Sequence, residues 1–306
     1  MVFIEDLPLL VFLMLAGVLL DLLLGEPRRW HPLVGFGRLA NWLEARLNRG
    51  RRSAGALAWL LAVAPLVGLA AWLSSAAIVM HAVLLYGCLG LRSLREHGLP
   101  IQAALVQNDL SAARLLTGRI VSRDTATLEA GALANATVES LLENGNDAVF
   151  GTLFWFLVAG APGAVLFRLA NTLDAMWGYR TPRLEAFGCM AARIDDVLNW
   201  LPARLTAISY ALLGDWRSAF ACWRSQAPAW ASPNAGPVMC AGAGSLGLAL
   251  GGPAMYHGVL EQRPPLGRGR AASAADIGRA WRLVASTTAL WLALLSLAAA
   301  LVLLKG

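Results

Sequence analysis

Charged side chains are scarce in this chain. Of its 306 residues, 14% are charged and 58% are hydrophobic, whereas soluble proteins carry roughly 25% charged residues. The mean hydropathy is +0.58. These values exclude an ordinary water-soluble globule, a disordered chain and a collagen-like or coiled-coil protein, and they predict a protein embedded in a membrane.

Lysine is nearly missing, because only Lys305 among the 25 basic residues is not arginine. A Walker A loop needs a lysine on the nucleotide phosphates, and Schiff-base catalysis needs a buried lysine amine, so both are excluded. The four cysteines form no CxxC pair, which leaves no zinc or redox motif. If the chain binds phosphate, arginine must do so as a bidentate donor.

Long apolar runs indicate where the chain crosses the membrane. A hydrocarbon core about 30 Å thick needs about 20 helical residues. Residues 7–24 and 283–304 each suit one crossing, and residues 54–91 suit two crossings with a turn near Ser74 and Ser75. We therefore expect four transmembrane helices.

The distribution of arginine orients these helices. Seven arginines lie between residues 28 and 52, whereas the chain before residue 7 carries only Glu5 and Asp6. Cytoplasmic loops are enriched in Lys and Arg. Both termini are therefore predicted outside the cytoplasm.

Three further segments do not suit simple crossings. Residues 148–177 form two legs of about 13 residues around Gly160-Ala-Pro-Gly163, which predicts a re-entrant or interfacial hairpin. Residues 197–213 suit either an interfacial helix or a fifth crossing. Residues 232–270 are rich in Gly and Pro, which indicates loops rather than a bundle helix.

These patterns predict an all-α, polytopic membrane protein. We expect about four transmembrane helices together with re-entrant or interfacial helices and a cytoplasmic helical region. Residues 1–306 form a single integral-membrane domain in this interpretation. Residues 92–282 form its mainly cytoplasmic or interfacial part, which carries the candidate active site.

One helical segment directly before the apolar hairpin is strongly polar. Asn135, Glu139, Glu143, Asn146 and Asp147 fall within about one third of the circumference of a helix. Like charges four residues apart destabilise a helix, so a compensating cation is expected, either Mg²⁺ or an arginine. A solvated acidic face is the simpler alternative, but polar groups within membrane-apolar sequence are costly unless they function.

Two more polar clusters follow this segment. Their members are Arg168, Asn171, Asp174, Tyr179 and Arg180, and then Arg193, Asp195, Asp196 and Asn199. Each cluster alone could be an ion-pair network, but three clusters on the predicted cytoplasmic side favour one shared site. Carboxylate and amide oxygens beside arginines suggest a site for Mg²⁺ and phosphate.

Two loop segments add candidate binding residues. Asp21 is predicted at the cytoplasmic end of the first helix, and His31 follows it; a lone histidine is more often a packing or capping residue than a catalyst. Asn234 lies in the run Ser-Pro-Asn-Ala-Gly. This run suits either a turn or an anion-binding nest of backbone amides.

The sequence resembles the integral-membrane adenosylcobinamide-phosphate synthases of cobalamin biosynthesis. Its motifs occur in the same order as in that family. The resemblance covers roughly residues 17–282. The matching pieces are Asp21 with Gly25-Glu-Pro and His31-Pro32; Ala136-Thr-Val-Glu139-Ser-Leu-Leu-Glu143-Asn144 with Asp147; Phe154-Trp155 through Gly163; Arg168 with Asn171-Thr-Leu-Asp174 and Gly178-Tyr179; Asp195-Asp196 with Asn199 and Pro202-Ala-Arg204; and Ser232-Pro-Asn-Ala-Gly236 followed by Gly251-Gly252-Pro253.

The resemblance implies a carbon–nitrogen ligase. The free propionate carboxylate of adenosylcobyric acid would be joined to aminopropanol phosphate, or to a related amino alcohol, to give adenosylcobinamide phosphate. ATP and Mg²⁺ are the implied cofactors, since a carboxylate needs activation before an amine can attack it. An apolar wall near Trp155 or Trp177 is expected to bind the corrinoid, which is a substrate.

Roles follow from the matched positions and the chemistry of each residue. Glu139, Glu143 and Asp147 are expected to coordinate Mg²⁺ or to deprotonate the incoming ammonium, and Asp174 is expected to be a further catalytic residue and metal ligand. The expected substrate- and phosphate-binding residues are His31, Arg168, Asn171, Tyr179, Arg180, Arg193, Asp195, Asp196, Asn199 and Asn234.

The resemblance also implies a location and partners. We expect a multi-pass protein of the bacterial inner membrane with a cytoplasmic active site. Its partners would be the two substrates, the lipid bilayer and later enzymes of the nucleotide-loop pathway, but no nucleic acid. The alternative is a non-enzymatic membrane sensor or regulator similar to the AmpE-type proteins, which would need few of the clustered acids and arginines.

Overall fold

The computed structural model describes residues 6–27, 31–256 and 258–305. Residues 28–30, which include two of the arginines used for the predicted orientation, lie outside the described residues. The α-helices of the described chain are α1 (Leu7–Leu24), α2 (Pro32–Leu47), α3 (Arg52–Ala76), α4 (Met80–Cys88), α5 (Leu91–Val106), α6 (Leu110–Thr117), α7 (Ala130–Gly145), α8 (Gly151–Trp177), α9 (Cys189–Leu212), α10 (Trp216–Gln226), α11 (Ala235–Leu246) and α12 (Ala274–Leu303).

A small β region lies between α11 and α12. Its strands are β1 (Leu248–Gly251), β2 (Ala254–Tyr256), β3 (Val259–Glu261), β4 (Pro265–Leu266) and β5 (Arg270–Ala271). Strand β1 lies between antiparallel β4 and parallel β5, and β2 pairs antiparallel with β3. Helices dominate the rest of the described chain, which confirms the predicted all-α class.

Four helical stretches of the described chain are long and apolar enough to cross a membrane: Leu7–Leu24, Arg52–Ala76, Ala130–Trp177 and Ala274–Leu303. The predicted number of spans is therefore confirmed. Their outer surfaces expose large apolar side chains, for example Phe12 and Trp72, each 65% exposed. Such surfaces are stable in contact with lipid, since lipid tails are as apolar as the side chains.

Two details of the predicted spans are wrong. Residues 54–91 do not form two crossings, because α3 continues to Ala76 and α4 has only nine residues, which cover about 14 Å. The fourth candidate span instead includes the segment 148–177, where a short hairpin was expected. Helix α9 covers most of the ambiguous segment 197–213, and it is not among the candidate spans of the described chain.

The predicted break within residues 148–177 is confirmed. Ala159 and Gly160 have non-helical backbone angles and divide α8 into a leg of eight residues and a leg of 17 residues, Gly151–Val158 and Ala161–Trp177. The Nδ1 atom of His81 accepts a hydrogen bond from the Ala161 N–H at 3.0 Å. This contact caps the second leg, whose first N–H groups have no partner within the helix.

The prediction of loops over residues 232–270 is wrong for its first part, because α11 is a helix. Nearly all of its residues are buried, and most are small. A Cβ added at Gly244 would lie 2.9 Å from the Cα of Ala219, so α10 and α11 pack too closely for a larger residue. Close packing offsets the low helix propensity of glycine, which costs about 1 kcal/mol per residue.

The chain divides into two compact units. The first comprises Met1–Gly90, Asp147–Asn199 and Leu292–Gly306, and the second comprises Leu91–Asn146 and Trp200–Trp291. Large side chains that are almost fully buried form the interior of each unit. They include Met14, Leu85, Phe156, Phe167 and Trp177 in the first unit, and Leu133, Leu141, Leu142 and Tyr210 in the second.

The break in α8 generates a prediction about Gly160. This residue has φ +64° and ψ −150°, a region that only glycine occupies readily. A Cβ there would also lie 2.6 Å from the Cε1 atom of His81. We expect Gly160→Ala to lower the free energy of unfolding by about 1–3 kcal/mol, measured by thermal unfolding in detergent.

Gly68→Ala provides the matched control. Gly68 lies inside α3, and a Cβ there would meet nothing within 4 Å. The substitution should leave stability unchanged or raise it by about 0.5–1 kcal/mol, because alanine is the better helix former. Equal effects of the two substitutions would contradict the structural role of Gly160.

Candidate functional site

The first unit contains an acid-rich centre, which we define as Asp147, Asn171, Asp174, Asp195, Asp196 and Asn199. Asp147 belongs to a π-helical turn, Asn146–Phe150, that precedes α8. Asn171 and Asp174 lie on the second leg of α8, and the last three residues lie in the first half of α9. Single π-turns are frequent at functional sites.

Two asparagines fix carboxylates of the acid-rich centre. The Nδ2 atom of Asn199 donates to Oδ1 of Asp147 at 2.8 Å. The Nδ2 atom of Asn171 donates to Oδ1 of Asp195 at 3.4 Å. Asn199 and Asp195 are only 3% and 7% exposed. Residues from separate polar clusters, which the sequence predicted to share one site, therefore contact each other in these two pairs.

The carboxyl groups of the centre repel one another. Burial, and then the negative charges of Asp147 and Asp174, raise the pKa of Asp195 to about 8, against the opposing effect of the hydrogen bond from Asn171. Burial also raises the pKa of Asp196, whereas Arg193 and Arg180 act to lower it. The centre therefore tends to bind cations or to retain a proton near neutral pH.

Arg168 adds a cation beside this centre. Glu26 and Asp147 both lie within electrostatic range of its guanidinium group. Its Nε atom is buried and has no hydrogen-bond partner within the described chain. Buried donors are seldom left unpaired in proteins, so Arg168 is suited to accept an anionic ligand.

The first unit also contains an apolar cavity of about 520 Å³, within the range of typical small-molecule sites. Helices α1, α2, α3, α4 and α8 contribute to its wall. Its polar lining residues include Asp21, Glu26 and His31, and its apolar ones include Cys88 and Leu169. Glu26 and Cys88 also lie within electrostatic range of Arg168, which places the cavity next to this arginine.

Other candidate residues of the first unit have different surroundings. The Nδ1 atom of His31 accepts from the Leu33 N–H at 3.2 Å and caps α2. Tyr179 is 51% exposed, and Arg180 and Arg193 are exposed as well. Trp177 is 2% exposed and packs against Phe187, so it offers no open face to a corrinoid.

The second unit contains Glu139, whose carboxylate accepts hydrogen bonds from three donors. Its Oε2 atom accepts from Nη2 of Arg123 and, at 2.5 Å, from Nη2 of Arg263. Its Oε1 atom accepts from the Gly251 N–H at 2.8 Å. Arginine therefore compensates the negative charge of Glu139. The sequence had suggested either Mg²⁺ or an arginine for this role. Glu143 lies one turn further along α7 and within electrostatic range of Arg263.

Asn146 and Asn234 have structural partners in the second unit. Oδ1 of Asn146 accepts from the Thr206 hydroxyl at 2.9 Å. Oδ1 of Asn234 accepts from Nη1 of Arg204 at 2.6 Å. The Oγ atom of Ser232 accepts from the Asn234 N–H at 3.3 Å, so part of the proposed backbone nest is already bonded within its own loop.

No three His, Cys, Asp or Glu side chains converge closely enough to hold a metal ion in residues 6–27, 31–256 and 258–305. A preformed Mg²⁺ cage of Glu139, Glu143 and Asp174 is therefore not found, and Glu139 and Asp174 belong to different units. Mg²⁺ commonly uses only one or two carboxylates plus waters and substrate phosphates. The chemistry of the acid-rich centre fits that mode of binding.

Sequence reasoning missed Arg123 and Arg263. Both lie in irregular segments, so helical spacing gave no signal for them. A partial signal existed, because an acid on an apolar helix requires a cation and arginine is almost the only one available. The sequence did not indicate which of the 24 arginines would serve.

The spans, the acid-rich centre and the paired Glu139 define a polytopic, helical membrane protein with buried ionisable groups. A family model described as CobD/Cbib protein matches residues 14–284. The chain belongs to this family. No solved structure matches the chain.

Similar proteins cover nearly the whole chain. The cobalamin biosynthesis protein CobD of Stutzerimonas stutzeri is 59% identical over 294 residues, which are 93% of this chain and 97% of that protein. The protein of the same name from Chromobacterium violaceum is 55% identical and covers 95% of this chain and 96% of its own length. A third, from Mycobacterium tuberculosis, is 40% identical, with 87% and 88% covered.

The raised pKa of Asp195 generates a prediction about stability. The folded protein retains a proton that an unfolded chain releases near pH 4, so Asp195 lowers stability increasingly as the pH rises from about 4 to about 8. We expect Asp195→Asn to raise the melting temperature by several degrees at about pH 8 and by much less at about pH 5. Thermal unfolding in detergent at both pH values measures the difference.

Asp109→Asn is the control for this experiment. Asp109 caps α6 through a hydrogen bond to the Ala112 N–H, and asparagine caps helices equally well. Its substitution should therefore produce no comparable pH-dependent gain. A melting temperature of the Asp195 variant that is lower than the wild type at the higher pH would contradict the crowding of carboxylates.

Proposed function

We propose that this protein acts in cobalamin biosynthesis as an adenosylcobinamide-phosphate synthase of the bacterial inner membrane. It would join the propionate carboxylate of adenosylcobyric acid to the amine of aminopropanol phosphate, or of a related amino alcohol, with consumption of ATP. Membership of the CobD/Cbib family supports the pathway, since similar proteins are named for cobalamin biosynthesis. The acid-rich centre beside Arg168 is the observation that carries the chemical step.

Amide formation first requires an activated carboxylate. In the proposed reaction a propionate oxygen attacks the γ-phosphorus of ATP, ADP leaves, and an acyl phosphate forms. The amine then attacks the acyl carbon, and phosphate leaves. Enzymes accelerate phosphoryl transfer mainly by positioning the reactants and neutralising their charge.

Charged groups of the first unit suit this activation step. Arg168 would bind a phosphoryl or carboxylate oxygen through its unpartnered Nε atom. The exposed Arg180 and Arg193 lie near Asp196 and would hold further phosphate oxygens. Arginine is the donor expected here, because the only lysine lies at position 305.

The aspartates would have two roles. Asp147 and Asp174 would hold Mg²⁺ together with the phosphates, and the ion would neutralise charge on the transferred phosphoryl group. Asp195 would take up the proton that amide formation releases, since burial raises its pKa and makes it a better base than an ordinary aspartate. A base is most effective when its pKa is near the working pH.

The apolar cavity would receive an apolar part of a substrate. The corrinoid is an amphipathic macrocycle, and a cavity of about 520 Å³ would hold one edge of such a molecule rather than all of it. Its position next to Arg168 would bring an adjoining carboxylate to the acid-rich centre. This assignment replaces the expected role of Trp177.

A reconstituted assay tests the proposed function. Purified protein in detergent is incubated with adenosylcobyric acid and aminopropanol phosphate, with and without ATP and Mg²⁺, and products are identified by mass spectrometry. Adenosylcobinamide phosphate should form only when all components are present, together with ADP. Absence of that product, with intact protein and both substrates, would refute the proposal.

Asp174 provides a specific prediction within this assay. We expect Asp174→Asn to lower kcat by about 100-fold or more, because electrostatic stabilisation by one group is worth that much in active sites. The melting temperature should not fall, since the change removes one of several crowded charges. Asp215→Asn, at the cap of α10, should retain normal turnover.

A further inference from the structure

The second unit contains an arginine that is held firmly but incompletely bonded. The Arg263 side chain is 10% exposed, and its Nη2 atom donates to Oε2 of Glu139 at 2.5 Å. Its Cζ atom lies 5.1 Å from the centre of the Trp230 ring. Its Nη1 atom is buried without a hydrogen-bond partner in the described chain. Leaving a buried donor unpaired is costly, so its retention indicates an acceptor that arrives with a ligand.

A second guanidinium group converges on the same point. Arg123 is 11% exposed, and it donates to the Oε2 atom of Glu139 that also binds Arg263. Since one carboxylate oxygen bonds both groups, their donor atoms lie close together. The three side chains carry one net positive charge, and two adjacent guanidinium groups are the arrangement that proteins use for phosphate.

Glu139 itself is held on both sides by hydrogen-bond donors. Both of its oxygens accept hydrogen bonds, from Gly251 on one side and from the two arginines on the other. Its contacts fix the positions of the two guanidinium groups. Glu139 is therefore a positioning residue, which orients Arg123 and Arg263 toward a third group.

An unpaired acceptor lies on the same face of α7. Asn135 precedes Glu139 by one helical turn, and its Nδ2 atom donates to the Gly251 carbonyl at 3.3 Å. Its Oδ1 atom is buried without a partner in the described chain. Gly251 thus contacts both Asn135 and Glu139, which places an unused acceptor near an unused donor. A complementary ligand would carry both an anionic acceptor and a cationic or neutral donor.

We propose that Arg263 and Arg123 form a phosphate-monoester subsite, and that Asn135 and Glu143 bind an ammonium group on the same ligand. The proposal rests on the proposed function and identifies the amino-alcohol phosphate as the substrate that binds in the second unit. Glu143 supports this assignment because it lies near Arg263. Two arginines and two glutamates balance in charge, which suits a zwitterion better than the polyphosphate of ATP.

Direct binding measurements test the subsite without turnover. The wild type and variants are titrated by calorimetry in detergent, in the absence of ATP and corrinoid, with aminopropanol phosphate, aminopropanol, inorganic phosphate or ATP. For Arg263→Lys we expect the Kd of aminopropanol phosphate to rise by about 10- to 100-fold, the value of one charged hydrogen bond. Lysine keeps the charge but loses the planar fork and the contact with Trp230.

Arg270→Lys is the matched control. Arg270 lies in the same unit and is also paired with an acid, Asp276, so the same loss of guanidinium geometry should leave the Kd unchanged. Asn135→Ala gives an independent readout. It should weaken binding of aminopropanol phosphate but not of inorganic phosphate, which has no ammonium group, and it serves if the Arg263 variant does not fold.

The binding measurements and the complete assay together distinguish failure of the subsite from failure of the proposed function. Unchanged affinity for aminopropanol phosphate in both Arg263→Lys and Asn135→Ala would overturn the subsite. Weaker binding of ATP alone would also overturn it and assign the arginines to the nucleotide. If binding behaves as expected but the complete assay gives no product, the subsite stands and the proposed function fails. If the complete assay gives product but the variants bind aminopropanol phosphate as the wild type does, the proposed function stands and the subsite fails.

Discussion

The cost of burying charge is the constraint on which the rest of this structure depends. A chain with 14% charged residues has little polar surface, so each acid inside it must be compensated or must carry a proton. The two units meet this requirement differently. Glu139 is neutralised by two arginines in the second unit, whereas in the first unit burial, and then the crowding of carboxylates, raise the pKa of Asp195.

This contrast has a chemical consequence. The Glu139 carboxylate is held in place by two guanidinium groups and one backbone N–H. A carboxylate that is destabilised by its neighbours exchanges a proton near neutral pH. The sequence predicted a catalytic and metal-binding role for Glu139 and a substrate-binding role for Asp195, whereas the structure pairs Glu139 with two arginines and places Asp195 among other acids.

The sequence predicted the class of fold well and its details less well. Apolar runs such as residues 7–24, in which Asp21 is the only charged residue, predict a span by length alone, so α1 agrees with its prediction. Residues 54–91 were wrongly predicted to form two spans, because apolar residues occur both at lipid-facing surfaces and in the protein interior. Gly17 in α1 is an example, since a Cβ there would lie 2.8 Å from the Leu85 side chain. Helix α4 thus packs within the protein, and its nine residues are too few for a crossing.

Prediction of the candidate site was limited because helical spacing does not show which residues from distant parts of the chain contact each other. Helical spacing correctly grouped Asn171 with Asp174 and Asp195 with Asn199, because such positions share a helix face. It also grouped Glu139 with Asp147, but the π-turn that begins at Asn146 interrupts the regular periodicity, and the two acids have separate partners. Arg263 escaped detection because its role depends on contacts 124 residues away in sequence. Patterns within one helix identify which acids share a face, but only long-range contacts determine whether each acid is paired with a cation or crowded by other acids.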